Sequence, residues 1–355
     1  MSAETPPPPV RVAIIGCGLI GSRWDMAAAT TVAGATPPSL THAAAFSRQA
    51  QARIVGFCDA DLGKAEQATA AWRCGRAFAD PRALLAAEPV DLVVVATAST
   101  ERSSVIEAAL AAGVRTLVIE KPLATTLDES RHLVAALEAH GAVALVNYLR
   151  HWDPALTALR ARVAAGEMGR LQRLVGLYGK GLSNNGSHMI DLAGLLTGAQ
   201  PVKVRALGSP LPADEAAWSQ GSDTALDAQL LYRQADGTLL QLDLLATDAS
   251  AYSCFELKLI GRGAQCEIRH GGRTLDWLPV ADDPDFAGYR IPGARQSLPG
   301  GTLQAMDAMA AEALQLARRE ISRAHCDART ALATASAVEA IRQSAREGGA
   351  WLTLD

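Results

Sequence analysis

Two hydrophobic patterns divide the chain. Up to about residue 150, short apolar runs at 10–15, 53–58, 91–96 and 116–119 alternate with Ala-rich segments. Runs of this kind, with almost no polar alternation, read as strands buried on both faces, the signature of a parallel sheet. The stretches 104–112 and 127–140 between them have helical composition, and each is stopped by a glycine, Gly113 and Gly141. Strand–helix alternation with short connections predicts a doubly wound α/β sheet. Beyond residue 150 the period changes to two. Ala228/Leu230/Tyr232, Leu240/Leu242/Leu244, Phe255/Leu257/Leu259 and Ala264/Cys266/Ile268 are apolar, with Gln229, Gln241, Asp243, Glu256, Lys258, Gln265 and Glu267 between them. This predicts an antiparallel meander with one apolar and one polar face. Two helices follow, one striped by Leu303, Met306, Ala310, Leu314, Ala317 and Ile321, the other over 327–346. The expected organisation is a tail over 1–9, an α/β domain over 10–147, and an α+β domain with a largely antiparallel open sheet over 148–355. The Pro/Gly-rich stretch 282–301 reads as a long surface loop.

Composition narrows the function. The chain has 355 residues, 49% of them apolar, and a formal net charge of −4. No apolar run approaches the ~18 residues that span a bilayer, so no membrane partner is expected. No basic block grips phosphates, so no nucleic-acid partner is expected either. Met1 to Pro9 lack the basic and apolar regions of a signal peptide, and the six cysteines (17, 58, 74, 254, 266, 326) show no paired spacing. Reduced thiols and a cytoplasmic location are the expectation. His42, His132, His140, His270 and His325 lack metal-ligand spacing, and no metal is expected. Five lysines stand against 28 arginines, which draws attention to each lysine.

Gly16-Cys17-Gly18-Leu19-Ile20-Gly21 fits G-x-G-x-x-G directly after the first apolar run, the context in which that pattern binds a dinucleotide. The first glycine permits the tight turn, the second admits the pyrophosphate, and the third lets helix and strand pack closely. An acid is expected ~20 residues on, to bind the ribose 2′-hydroxyl. Asp59 ends the second run but lies 38 residues beyond Gly21, a distance explained by an insertion over 22–40, with the helix resuming near Thr41-His42-Ala43. An acid there repels a 2′-phosphate and favours NAD over NADP. Asp61 is the better helix cap of the two. Thr97 and Ser99 follow the third run, where ligands bind in open α/β sheets, and fit either ribose or phosphate contacts or a helix cap.

Glu120-Lys121-Pro122 follows the fourth run at the same edge, where Glu120 and Lys121 are candidate cofactor contacts and the lysine, beside the nicotinamide, can also meet the substrate oxygen that changes oxidation state. With Gly16–Gly21, Gly166-Glu167-Met168-Gly169 and the stretch 184–191 (NNGSHMID), this order resembles the glucose–fructose oxidoreductase / inositol dehydrogenase (Gfo/Idh/MocA) family of NAD(P)-dependent oxidoreductases. The resemblance covers nearly the whole chain. It implies a Rossmann domain and then a domain whose sheet walls the substrate pocket. It also implies oxidation of a secondary alcohol of a sugar, nucleotide sugar or cyclitol, or reduction of its ketone, in a homodimer or homotetramer. By position, Lys121 matches the active-site lysine and His188 the general acid/base. Asn184 stands where the family commonly has aspartate, and an amide does not stabilise an imidazolium as a carboxylate does. Arg102-Ser103 stands where many relatives have a histidine.

Asp191 fits a sugar-hydroxyl contact or a role in its own helix. Arg150 and Trp152 lie near the expected pocket, Trp152 fitting hinge packing equally well. Lys180 suits either an anionic substrate group or solvent. Tyr289, Arg290 and Arg295 belong to the long loop. Two other readings remain at this stage: a glycosidase that uses NAD transiently, and a nucleotide-binding protein without catalysis.

Overall fold

The computed structural model describes residues 7–26, 37–209, 225–247, 252 and 254–354, so most of the expected tail and the centre of the 22–40 insertion lie outside the described residues. The chain divides into two compact units, Met1–Trp152 with Leu303–Leu332, and Asp153–Thr302 with Ala333–Asp355. The division therefore falls five residues later than expected, and residues 303–332 return to the first unit.

In the first unit, β1 (Val10–Ile15), α1 (His42–Ser47), β2 (Ala52–Cys58), α2 (Leu62–Trp72), β3 (Arg76–Phe78), α3 (Pro81–Ala87), β4 (Leu92–Val95), α4 (Arg102–Ala111), β5 (Thr116–Ile119), α5 (Leu127–Ala139) and β6 (Val143–Val146) alternate as expected. The six strands form one parallel sheet in the order β3-β2-β1-β4-β5-β6. Buried Val, Ile and Leu on both faces make the core, because helices cover each side. Local chemistry sets the helix starts. Thr41, Asp61, Asp80 and Thr126 cap α1, α2, α3 and α5 through side-chain oxygens that accept backbone N–H groups.

The second unit begins with α6 (Pro154–Ala164), β7 (Leu171–Tyr178), α7 (Ser187–Thr197) and β8 (Gln200–Gly208). β9 (Asp227–Arg233), β10 (Leu239–Ala246), β11 (Phe255–Gly261), β12 (Ala264–Arg269) and β13 (Thr274–Asp282) follow. The period-two residues alternate between buried and half-buried along β9 to β12, as patterned. The meander is broken, however, because β7 lies between β10 and β11 and runs parallel to β10. The sheet is mixed for that reason. The stretch expected as a long loop instead folds back as β14 (Arg290–Pro292) and β15 (Gln296–Pro299), both paired with β13. Asp276, fully buried on β13, accepts from Ser297 of β15 and pairs with Arg269, which fixes that return.

α8 (Ala305–Ala317) buries Met306, Met309, Ala310, Ala313 and Leu314 in the first unit's core, which is why this segment belongs there. Ile321, the last residue of the expected stripe, lies past its end. α9 (Ala328–Arg346) and the short β16 (Leu352–Thr353) end the chain. Among the described residues no helix is long and apolar enough to cross a membrane.

Candidate active site

Because the first sheet is parallel, the residues after β1, β2, β4, β5 and β6 share one edge. The chain runs outward from β1 through β2 to β3 and then returns to β4. The edge between β1 and β4 is thus the switch point where open α/β sheets bind ligands. Gly16 stands there with φ +100°, and a Cβ on it would lie 2.4 Å from the carbonyl carbon of Ala96. Only glycine fits. A Cβ on Gly21 would lie 1.9 Å from the Gly16 oxygen, so the third glycine is equally obligatory. Gly18 faces open space, as a backbone that must admit a pyrophosphate requires. Leu19 and Ile20 open a five-residue π-turn, Leu19–Arg23. Cys17 is fully buried, and burial, with the charges of Asp59 and Cys58 adding, pushes its thiol up to about 12. It fills space and is no nucleophile.

Asp59 lies beside this turn. Its Oδ2 accepts the Cys17 N–H at 2.9 Å, while Oδ1 accepts the Asp61 N–H and faces Lys64 Nζ at 3.9 Å. Asp61, as expected, caps α2. The insertion does not disturb the turn because Asp25 closes its base: one carboxylate oxygen accepts the N–H groups of Leu40 and Thr41 and the Thr41 hydroxyl. Across the switch point, the buried Thr97 Oγ1 finds no hydrogen-bond partner among the described residues, and neither Ser99 nor Thr100 makes a side-chain cap. An orphaned buried hydroxyl, an open glycine and an acid beside the glycine turn after β2 all fit a bound dinucleotide.

Lys121, half-buried, follows β5 on the same edge. Its neighbour Glu120 is buried, with Oε1 accepting from His42 Nε2 at 2.8 Å and Asn147 Nδ2 at 2.7 Å. Burial alone would raise the Glu120 pKa; hydrogen bonds from His42 and Asn147, with the His42 and Arg102 charges, outweigh it and hold the pKa below its usual range. Glu120 therefore anchors the turn that carries Lys121. Arg102, also buried, donates to the carbonyls of Thr97 and Pro122 and so ties the loop after β4 to the one after β5. Sequence reasoning missed His42 and Asn147 as parts of this site, since partners 78 and 27 residues away leave no local signal. Trp152 is buried with its indole N–H on Glu312 at 2.6 Å, the packing alternative for that residue; Arg150 is half-buried in the same 3-10 turn.

In the second unit, Lys180 adopts the left-handed conformation (φ 65°) and starts a π-turn, Gly181–Gly186, that continues into α7. Asn184, His188 and Asp191 lie on this helical run at spacings of four and three, which place successive members near one face. π-turns inside helices are frequent at functional sites. Ser187 donates to the carbonyls of Ser183 and Asn184, and Arg342 of α9 donates to the Ser183 hydroxyl, which pins the turn. Asn184 and His188 are half-buried; Asp191 is buried near Tyr232.

Fold and glycine turn together define a dinucleotide-binding domain. Residues 10–148 match the family model described as an oxidoreductase family with an NAD-binding Rossmann fold. The match covers the parallel-sheet part of the first unit, which is thereby an NAD-binding Rossmann domain similar to those of the Gfo/Idh/MocA family. It is 36% identical over 118 residues to a D-apiose dehydrogenase of Paraburkholderia graminis, covering 33% of this chain and 31% of that protein. It is 29% identical over 210 residues to an inositol 2-dehydrogenase of Saccharopolyspora erythraea, covering 56% of each. The chain thus spans about half or less of the length of these curated relatives. Its fold is similar to an inositol dehydrogenase homologue of Azotobacter vinelandii solved with NAD+, with TM-score 0.73, 19% identity and 98% of each chain covered.

Proposed function

We propose that this protein is an NAD-dependent dehydrogenase of a sugar, nucleotide sugar or cyclitol, oxidising a secondary alcohol or reducing the matching ketone. The observation that carries this reading is the placement of Lys121 on the sheet edge shared by the glycine turn and Asp59. The names of the relatives, a D-apiose dehydrogenase and an inositol 2-dehydrogenase, support the substrate class. When bound, the nicotinamide accepts or returns the hydride. The chain supplies the rest. Lys121 stabilises negative charge developing on the substrate oxygen. His188 takes the carbinol proton, and returns it in the reverse direction. Asn184 hydrogen-bonds a substrate hydroxyl without adding charge. Arg150, Trp152, Lys180 and Asp191 are the remaining substrate-contact candidates, Trp152 the weakest because its indole N–H is occupied. Assembly as a homodimer or homotetramer belongs to the same reading, and light scattering measures it.

The test is a panel of sugars, cyclitols, nucleotide sugars and aryl glycosides with NAD and NADP, followed by the near-ultraviolet absorbance of reduced nicotinamide. Net reduction with one member supports the proposal. Aryl release without net reduction would make the protein a glycosidase instead, and nucleotide binding with neither outcome a non-catalytic binder.

Asp59 sets the expected cofactor preference. Asp59→Asn keeps an acceptor for the Cys17 N–H and removes the charge. NADPH should then gain on NADH by about tenfold, a change of ~1.4 kcal/mol in relative binding. Fluorescence titration with both nucleotides reads the ratio, and an unchanged ratio would remove Asp59 from the ribose site.

A further inference from the structure

We infer that His42 and Glu120 are positioning residues for Lys121: a buried histidine–carboxylate pair fixes the backbone from which the ammonium is presented. A lysine side chain is a long flexible stem carrying a compact charge, so its reach is defined only if its backbone is held. Here the residues on both sides of Lys121 are held. Glu120 donates its N–H to the Val95 carbonyl at 2.9 Å, and its side chain is gripped by His42 and Asn147. Pro122 accepts from Arg102, itself tied to Thr97. His42 is 0% exposed and Glu120 8%, so the pair is a buried one.

Such a pair is a poor device for stability alone. Burying a carboxylate costs several kcal/mol before its partners offset it, and apolar residues of similar volume commonly stabilise a core as well or better. What a matched polar cluster adds is a single geometry. Its members come from α1, from the ends of β5 and β6, and from α8, where Met306 Sδ lies 3.7 Å from Asn147 Nδ2. The network therefore references the Lys121 turn to three separate parts of the domain. His42 is also the second residue after the insertion, and Asp25, by holding Thr41, sets where it enters.

The consequence for turnover rests on the reading of Lys121 given above, but its placement can be measured without substrate. Reductive methylation with 13C-formaldehyde labels the five lysines, and Lys121→Arg assigns the signal. In the wild type the Lys121 dimethyl resonance should be displaced from that of Lys64, whose side chain is 41% exposed. His42→Ala should collapse it onto the Lys64 position, while His42→Gln, which keeps a donor, should leave it near the wild-type position. NADH affinity should stay unchanged in both. Once a substrate is found, His42→Ala should lower hydride transfer about 100-fold, the cost of misplacing a reacting group by about an ångström. A Lys121 signal unmoved in folded His42→Ala would overturn the inference, as would equal movement in His42→Gln. If His42→Ala does not fold, Asn147→Ala removes the other donor to the same oxygen and is read the same way. Turnover retained in Lys121→Ala would refute the functional reading instead, whatever the resonance does.

Discussion

His188→Ala should lower turnover by about 10²- to 10⁴-fold, the usual contribution of a positioned general acid or base, with NADH binding unchanged. As a hydride leaves carbon, the carbinol oxygen would carry full negative charge unless its proton departs. A neutral imidazole accepts that proton near neutral pH, since an ordinary histidine titrates near ~6.5. The oxidation rate in the wild type should therefore rise with pH through an imidazole inflection and then level, and the variant should lose that inflection. His188 is suited to this by its place in the first turn of α7, directly after a π-turn pinned by Ser187 and Arg342. A variant that keeps both rate and inflection would dismiss His188 from the chemistry.

Lys121→Ala should cost about 10²- to 10³-fold in turnover, comparable to removing one donor that stabilises a developing oxyanion. The loss should fall on kcat more than on KM, because the charge it meets is greatest in the transition state. Nucleotide affinity should survive, because the glycine turn and Asp59 lie elsewhere on the same edge. Parallel losses in kcat and NADH affinity would instead show that Lys121 holds cofactor.

The Rossmann sheet was legible because β1, β2, β4 and β5 are continuous apolar runs. The three-residue β3 carried too little pattern to register, and β6, though as long as β4 and β5, follows an Ala-rich helix and Gly141 so closely that it did not stand apart as a run. Period two found β9 to β12 and their buried faces. It could not place β7 between β10 and β11, because alternation records which face is buried and not which strand lies alongside. The stripe of α8 had the same limit: Met306, Ala310 and Leu314 declared a buried side without saying which core received it. The glycine turn and Asp59 were legible despite the insertion, since each ends an apolar run. The anchor beneath Lys121 was not, because His42, Glu120 and Asn147 meet only through the fold.

The most direct test of hydride transfer uses an accepted substrate deuterated at the reacting carbinol carbon, with NAD. The account predicts one deuterium at C4 of the reduced nicotinamide and a ketone as the coproduct, with both lost in Lys121→Ala and His188→Ala. Deuterium appearing in solvent, or staying in a product formed without net cofactor reduction, would contradict it.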